Sequence, residues 1–439
     1  MLIRESADET LPAVGSPFPL ADIDYIVQAA HGRMPMVQFG TTRPDPDPVF
    51  PYQLLHENLP PDDTFDDPVD YRVVFGDAER DVRPFVLRHL VNVSAMSLGG
   101  INHKLVSAIG SGLRGLGLVN TGEGGPDVHL ATGADSVLQV GTAKFGLGTP
   151  ILAGGRTYAR LDLDRLAELV RGNDTIRLIE LKLSQGAKPG TVSLPGTRVP
   201  PLVAQVRGVR AGEDAVSPPQ HYELLAPTRE EKYDRLCAWI DAVRRVSHLP
   251  VGIKLCVGRP QELTAMVDRF ARTGSAPDFI TVDSAWGGTS SANACIANYV
   301  GYGDVHDSVR LVDHVLRAAG LRDRVVVCAS GSLHVPAHAV SAFAHGADAV
   351  FVARGFLYAA AAVNDVAVRL GVSPFELTHH DEETLATIDV ARTAVGVRAY
   401  AERFDQDVRL LTWLLGRRSP RELDLSCLRR HDEREAGRA

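Results

Sequence analysis

The sequence predicts an α/β protein built as a (β/α)8 TIM barrel, with an irregular N-terminal extension and a C-terminal helical segment. Three observations carry this prediction. Short apolar runs of strand length recur about eight times between residues 91 and 353. Amphipathic stretches of helical period separate several of them, which implies parallel strands joined by right-handed crossovers. Several runs end in glycine, serine or threonine, and glycine lets a backbone approach a ligand closely at the strand ends of a barrel. A doubly wound open sheet is the alternative use of the same elements.

Residues 1–83 read as an irregular extension that wraps the barrel. Within it, Thr41–Pro68 is rich in proline and aspartate, which sustain neither helix nor interior strand. From Pro84 the texture changes. The strand candidates are Val91–Ala95, Leu116–Asn120, Ser136–Val140, Ile176–Leu183, Val251–Leu255, Phe279–Asp283, Val325–Ala329 and Ala349–Ala353. Helical patterns cover His103–Leu113, Leu161–Arg171, Glu230–Ser247, Pro260–Arg272, His306–Ala319 and Pro336–His345. The barrel is assigned residues 84–371 and the C-terminal helical extension residues 372–439. The charged tail from Leu428 to Ala439 is expected to fray.

The chain of 439 residues is 45% hydrophobic and 23% charged, as an ordinary globular protein is. A net charge of -8 gives no support for nucleic-acid or bilayer binding, where a basic patch is expected. No apolar run has the length of a membrane span and the N-terminus shows no signal-peptide core, so the expected location is the cytoplasm. The five cysteines are far apart, and none forms a metal-ligand spacing. They read as buried thiols in a reducing compartment, and no zinc or iron-sulfur site is expected.

The chemistry begins in the run Glu180 to Gly190, ELKLSQGAKPG. It places Lys182 near a strand end and Lys188 on the following loop, six residues apart. Two cations aimed at the active face suit an anionic ligand; a solvated turn with two surface lysines is the bland alternative. Glycine-rich strand ends recur late in the chain, at Gly287-Gly288, Ser330-Gly331-Ser332 and Arg354-Gly355. Loops at this end of a barrel often hold a phosphate, so a phosphate-bearing cofactor is expected, with ordinary turns as the alternative. Lys254 ends an apolar strand, where a charge is costly without a partner. Its partner is either the electron-rich edge of a flavin or an ion-pairing residue such as Asp283.

In order along the chain, SAMSLGG, NTGEGG, QVGTAKFG, LKLSQGAKPG, LPGTRVPP, SPPQHYE, VGIKL and the late WGGT, ASGSL and ARGF motifs resemble the FMN-binding domain of glutamate synthase. The likeness is closest to the stand-alone FMN-binding glutamate synthase family proteins and covers roughly residues 70–360. It implies FMN in a (β/α)8 barrel and reduction of an imine formed from 2-oxoglutarate and ammonia. It places Ala95, Met96, Ser97 and Gln139 by the flavin ring and Lys254 at its N1 edge. The phosphate falls to Gly287, Gly288, Gly331, Arg354 and Gly355, and Ser330 also belongs to the cofactor-binding set. Glu123, Lys182, Lys188 and Arg207 match positions around a dicarboxylate substrate. Two lysines and an arginine suit a carboxylate clamp, and Glu123 suits proton transfer at a nitrogen; a surface role is the alternative for Arg207.

The sequence departs from the family in three places. Near Ala362, Val368 and Ser373, the family's three [3Fe-4S] cysteines are missing. No amidotransferase segment with its cysteine nucleophile is found, and Trp286 and Ser290–Asn293 alter the glycine-rich phosphate motif. The expectation is a cluster-free FMN-dependent oxidoreductase acting at a C–N bond of an amino acid or related carboxylate. Glutamate synthesis from free ammonia with a diffusible electron donor, and a non-catalytic partner subunit, are the alternatives. The expected partner is a small anionic amino acid or oxo acid, and homo-oligomerisation stays open.

Overall fold

In the computed structural model of the chain, eight strands pair in parallel and close into a barrel. They are Val91–Val93 (β1), Val119–Asn120 (β2), Ser136–Val140 (β3), Ile176–Lys182 (β4), Val251–Cys256 (β5), Phe279–Asp283 (β6), Val326–Ser330 (β7) and Ala349–Val352 (β8). They follow one another in chain order, and β8 returns to β1 with Phe351 opposite Asn92. Closure excludes the open sheet. The structure describes residues 18–37, 50–59, 71–186, 192–288, 295–297, 299–364 and 374–431.

The strands are continuous apolar runs because both faces are covered: β3, β6 and β7 are buried along their whole length. The outer layer includes His103–Leu113, Leu163–Arg171, Arg229–Ser247, Pro260–Thr273, Val305–Ala318, Pro336–Ala344 and Arg354–Val363. Side-chain caps start several of these. Asn102 accepts from Leu105 N, Thr228 from Glu231 N and Asp304 from Asp307 N. The helix expected from Leu161 begins at Leu163, because Asp162 caps it and Arg156–Leu161 is a strand paired with Gly148–Ala153.

Inside the barrel, composition is graded along each strand. Side chains two residues apart share a face. In β4, Leu178 belongs to an apolar plug, Glu180 lies above it and Lys182 stands nearest the C-terminal mouth. In β6 the order is Phe279, Thr281, Asp283. The plug is completed by a hairpin of Val73–Phe75 with Phe85–Leu87, whose Phe75 ring meets Phe279 edge-on at 5.5 Å. One end of the barrel is thus sealed by apolar packing, which leaves polar side chains concentrated at the other.

The expectation that residues 1–83 are irregular is corrected by this hairpin and by a helix at Leu20–Ala30. That helix buries Ile23, Ile26, Ala29 and Ala30. These apolar residues recur every three or four positions, and they need the surfaces of Arg354–Val363 and Val390–Leu414 to cover them. The start of the C-terminal tail is also corrected. Leu428–Arg430 pairs antiparallel with Tyr52–Leu54 instead of fraying, while residues 432–439 lie outside the described residues. Among the described residues, no helix is long and apolar enough to cross a membrane.

Candidate active site at the C-terminal mouth of the barrel

Glu180 organises the middle layer of the barrel. Its Oε1 accepts hydrogen bonds from Asn120 Nδ2 at 2.8 Å and Gln139 Nε2 at 2.6 Å, and its Oε2 accepts from the Thr281 hydroxyl. Strands β2, β3, β4 and β6 are tied together at this level by one buried carboxylate. Gln139 Oε1 is buried with no hydrogen-bond partner among the described residues. A buried acceptor without a partner is costly, so this atom marks a place where a ligand donor belongs.

One layer higher, Lys182 and Lys254 are Cα partners across β4 and β5. Two ammonium groups on adjacent strands repel unless each meets an anion. Each does so on the side away from the other. Lys182 Nζ donates to Glu123 Oε1 at 2.9 Å, and Lys254 Nζ lies 3.6 Å from Asp283 Oδ2. The ion-pairing reading of Lys254 is therefore realised, with Lys254 still at the mouth. Glu123 is carried by the turn after β2 and packs on Gly141 after β3, where an added Cβ would lie 2.2 Å from Glu123 Oε2. Only glycine at 141 leaves room for that carboxylate.

Arg207 joins this group. Its Nη2 donates to the Leu98 carbonyl at 2.7 Å, and its guanidinium covers the Phe145 ring at 4.9 Å. Burial lowers its pKa to about 10, and the charge of Glu123 opposes that shift. Arg207 Nε is buried and has no hydrogen-bond partner among the described residues. Glu123, Lys182 and Arg207 are thus brought together, and the surface reading of Arg207 is overturned. Lys188 lies outside the described residues, as do Val368 and Ser373.

Two further side chains support Lys182 from behind. His221 Nε2 lies 2.7 Å from the Lys182 carbonyl, and its Nδ1 lies 3.1 Å from Lys144 Nζ. A carbonyl only accepts, so Nε2 carries the proton and Nδ1 receives the lysine. Burial, reinforced by Lys144, holds the His221 pKa well below its usual value, which keeps the ring neutral in this role. Lys144 is paired in turn with Glu223 at 2.9 Å. Both residues stand in motifs quoted above, QVGTAKFG and SPPQHYE, but no spacing rule assigns them a partner.

On the opposite rim the late glycines gather. An added Cβ at Gly287 would sit 1.9 Å from Asp283 Oδ1, and the Cβ position of Gly331 is 3.6 Å from the Gly287 Cα. Arg354 starts the helix Arg354–Val363, and its guanidinium lies 3.7 Å from the Cβ position of Gly288. Its Nη2 also donates to Ser332 Oγ at 3.4 Å, and burial lowers its pKa. The Ser94 and Ser330 hydroxyls, 2.9 Å apart, join this rim to β1. Ala95, Met96 and Ser97 follow β1, with the Met96 carbonyl 3.0 Å from His129 Nε2. Gly355 has a different reason to be glycine: an added Cβ would lie 2.3 Å from the Tyr400 hydroxyl oxygen, so helix packing excludes a side chain. Trp286 stands 43% exposed beside this rim.

A glycine cradle, an arginine at a helix N-terminus and an unpartnered buried acceptor in the layer below fit a phosphate-bearing flavin laid across the mouth. Fold and site together define the class, a flavin-type (β/α)8 oxidoreductase barrel. The particular family follows from comparison. The conserved region in glutamate synthase matches residues 65–418. The chain belongs to the glutamate synthase family, and FMN is its cofactor. It is similar to the glutamate synthase large subunit-like protein YerD of Bacillus subtilis, at 31% identity over 81% of this chain and 65% of that protein. It is also similar to an archaeal-type glutamate synthase [NADPH] of Dehalococcoides mccartyi, at 28% identity over 65% of this chain and 52% of that protein. The chain therefore spans between half and two thirds of these relatives' own lengths. A solved mandelate oxidase shares the fold, with a TM-score of 0.50 at 14% identity over 95% of this chain and 94% of that one.

Proposed function

We propose that this FMN oxidoreductase acts at the C–N bond of an amino acid or related carboxylate without an iron-sulfur cluster, with residues 84–371 as its barrel domain and the cytoplasm as its location. The observation that carries the reading is the Glu123–Lys182 pair beside Arg207 at the mouth of the barrel. Bound FMN supplies the two-electron acceptor or donor at N5. Gly287, Gly288, Ser330, Gly331, Arg354 and Gly355 would hold its phosphate, and Ala95–Ser97, Gln139 and Lys254 its ring.

The substrate in this reading is a small anionic amino acid or oxo acid. Lys182, Lys188 and Arg207 hold its carboxylate through charge-assisted hydrogen bonds. In the oxidative direction a hydride would pass from the substrate Cα to the bound flavin, and Glu123 would take a proton from the amine nitrogen. In the reductive direction both transfers reverse. Oxygen or a second, oxidising substrate would close the oxidative cycle, and NAD(P)H or a second, reducing substrate the reductive one. Lys182 Nζ, 2.9 Å from Glu123 Oε1, fixes where that carboxylate is aimed, which in this reading gives the pair a role in the reaction rather than in the scaffold.

A second reading is glutamate formation from 2-oxoglutarate and free ammonia with a diffusible electron donor; the similarity to an archaeal-type glutamate synthase [NADPH] favours it. One experiment addresses both. The absorbance spectrum of the aerobically purified protein is recorded, and an amino-acid panel is then added without oxygen. Flavin bands bleached by one compound support the first reading. Bands that bleach with none, with glutamate made from 2-oxoglutarate, ammonia and reduced FMN, support the second. A colourless protein that stays apo with added FMN overturns both.

A further inference from the structure

Behind the Ser330–Ser332 loop, three side chains from distant parts of the chain converge. Asp22 comes from the helix Leu20–Ala30, His334 from the segment after the loop, and His338 from the first turn of Pro336–Ala344. Each is about 1% exposed. One carboxylate oxygen and one nitrogen from each ring all lie within 4.8 Å of one another. His334 Nε2 is 2.8 Å from Asp22 Oδ2, and His338 Nε2 is 3.9 Å from the same oxygen.

The other edges of the two rings settle their tautomers. His334 Nδ1 and His338 Nδ1 lie 3.1 and 3.2 Å from the carbonyl oxygen of Ser332. That oxygen only accepts, so both Nδ1 atoms carry hydrogen. In a neutral ring, Nε2 is then a lone pair. Both lone pairs point towards the Asp22 carboxylate, so one divalent cation between them meets all three groups.

The surroundings match a metal centre in other respects. A histidine that binds metal through one nitrogen commonly donates the other N–H to a backbone carbonyl. Around a tetrahedral ion with bonds of about 2.0 Å, ligand atoms stand about 3.3 Å apart, and the observed separations bracket that distance. The rings are already fixed. Phe18 stacks on His334 at 3.5 Å, the two imidazoles cross at 85°, and the Tyr400 hydroxyl donates to the His334 carbonyl at 2.8 Å. Two imidazoles and a carboxylate suit zinc, cobalt or nickel. The enclosure gives the ion a structural role.

We propose that Asp22, His334 and His338 form a buried site for one divalent cation of the zinc class, which pins the helix Leu20–Ala30 to the segment that follows the loop Ser330–Ser332. The proposal does not depend on the flavin reading, and its test measures metal. Tag-free full-length protein is loaded with zinc, dialysed, and analysed for metal by mass spectrometry. About one equivalent per chain is expected, retained in the surface control His56→Gln and lost in Asp22→Asn and His338→Gln. Cobalt(II) added to the wild-type protein reads the same site without any substitution. Visible bands of tetrahedral nitrogen and oxygen ligation, abolished by stoichiometric zinc, are expected even if a variant fails to fold. A wild-type protein that keeps no zinc and gives no cobalt bands overturns the site, as does undiminished metal in both folded variants.

Discussion

At the scale of single residues, Glu180 and Lys182 stand two positions apart on β4 and do different work. Glu180 accepts from Asn120, Gln139 and Thr281, so Glu180→Ala strands three buried donors. The expected cost is about 3 kcal/mol in chemical denaturation; a loss below about 1 kcal/mol would show that the layer holds without it. Lys182→Met removes the partner of Glu123 at the mouth. Its expected signature is a fall in kcat/KM of about 10- to 100-fold with flavin content unchanged. Flavin lost in step with activity would move Lys182 into the cofactor site. Lys182, Glu123 and Lys254 were readable from sequence because each closes an apolar run or sits in a glycine-rich turn. Glu180, Lys144 and His221 were not, because their roles consist of partners 39 to 101 residues away that no local pattern records.

At the scale of elements, the late strand ends make the sharpest prediction. Gly287→Ala places a methyl group on the Asp283 carboxylate, so the loop must move off the rim. The expected result is a folded protein whose affinity for FMN falls by about tenfold or more, measured by flavin fluorescence titration. Gly355→Ala meets Tyr400 instead and should lower the melting temperature whether or not flavin is present. Equal loss in both variants with FMN in excess would mean that the cradle is only packing. The barrel strands themselves were legible, since a parallel strand covered on both faces must be a continuous apolar run. The helix Leu20–Ala30 was not. Its apolar stripe is short, and it lies near a proline- and aspartate-rich stretch that speaks for irregular chain.

At the scale of the whole molecule, Leu20–Ala30 packs on the helices Arg354–Val363 and Val390–Leu414, Tyr52–Leu54 pairs with Leu428–Arg430, and buried histidines make the fold sensitive to acid. Burial lowers His129, His345 and His380 from 6.5 to about 4. Their folded pKa values are depressed, so the unfolded chain takes up these protons first as pH falls. The stability they contribute is complete above about pH 6.5 and drains away as the pH drops towards about 4. The urea midpoint should fall steadily across that window, and a flat midpoint would refute the assignment. By itself the sequence determined the fold class, the family, the cofactor and the motif residues that line the mouth, because period, glycine placement and motif order are local properties. Only the tertiary structure decided that Arg207 turns inward, that Lys254 meets Asp283, that the tail pairs with Tyr52–Leu54, and that Asp22 faces His334 across 312 positions. The physical reason is that partners and burial depend on distances through space, which chain closure sets and local sequence does not.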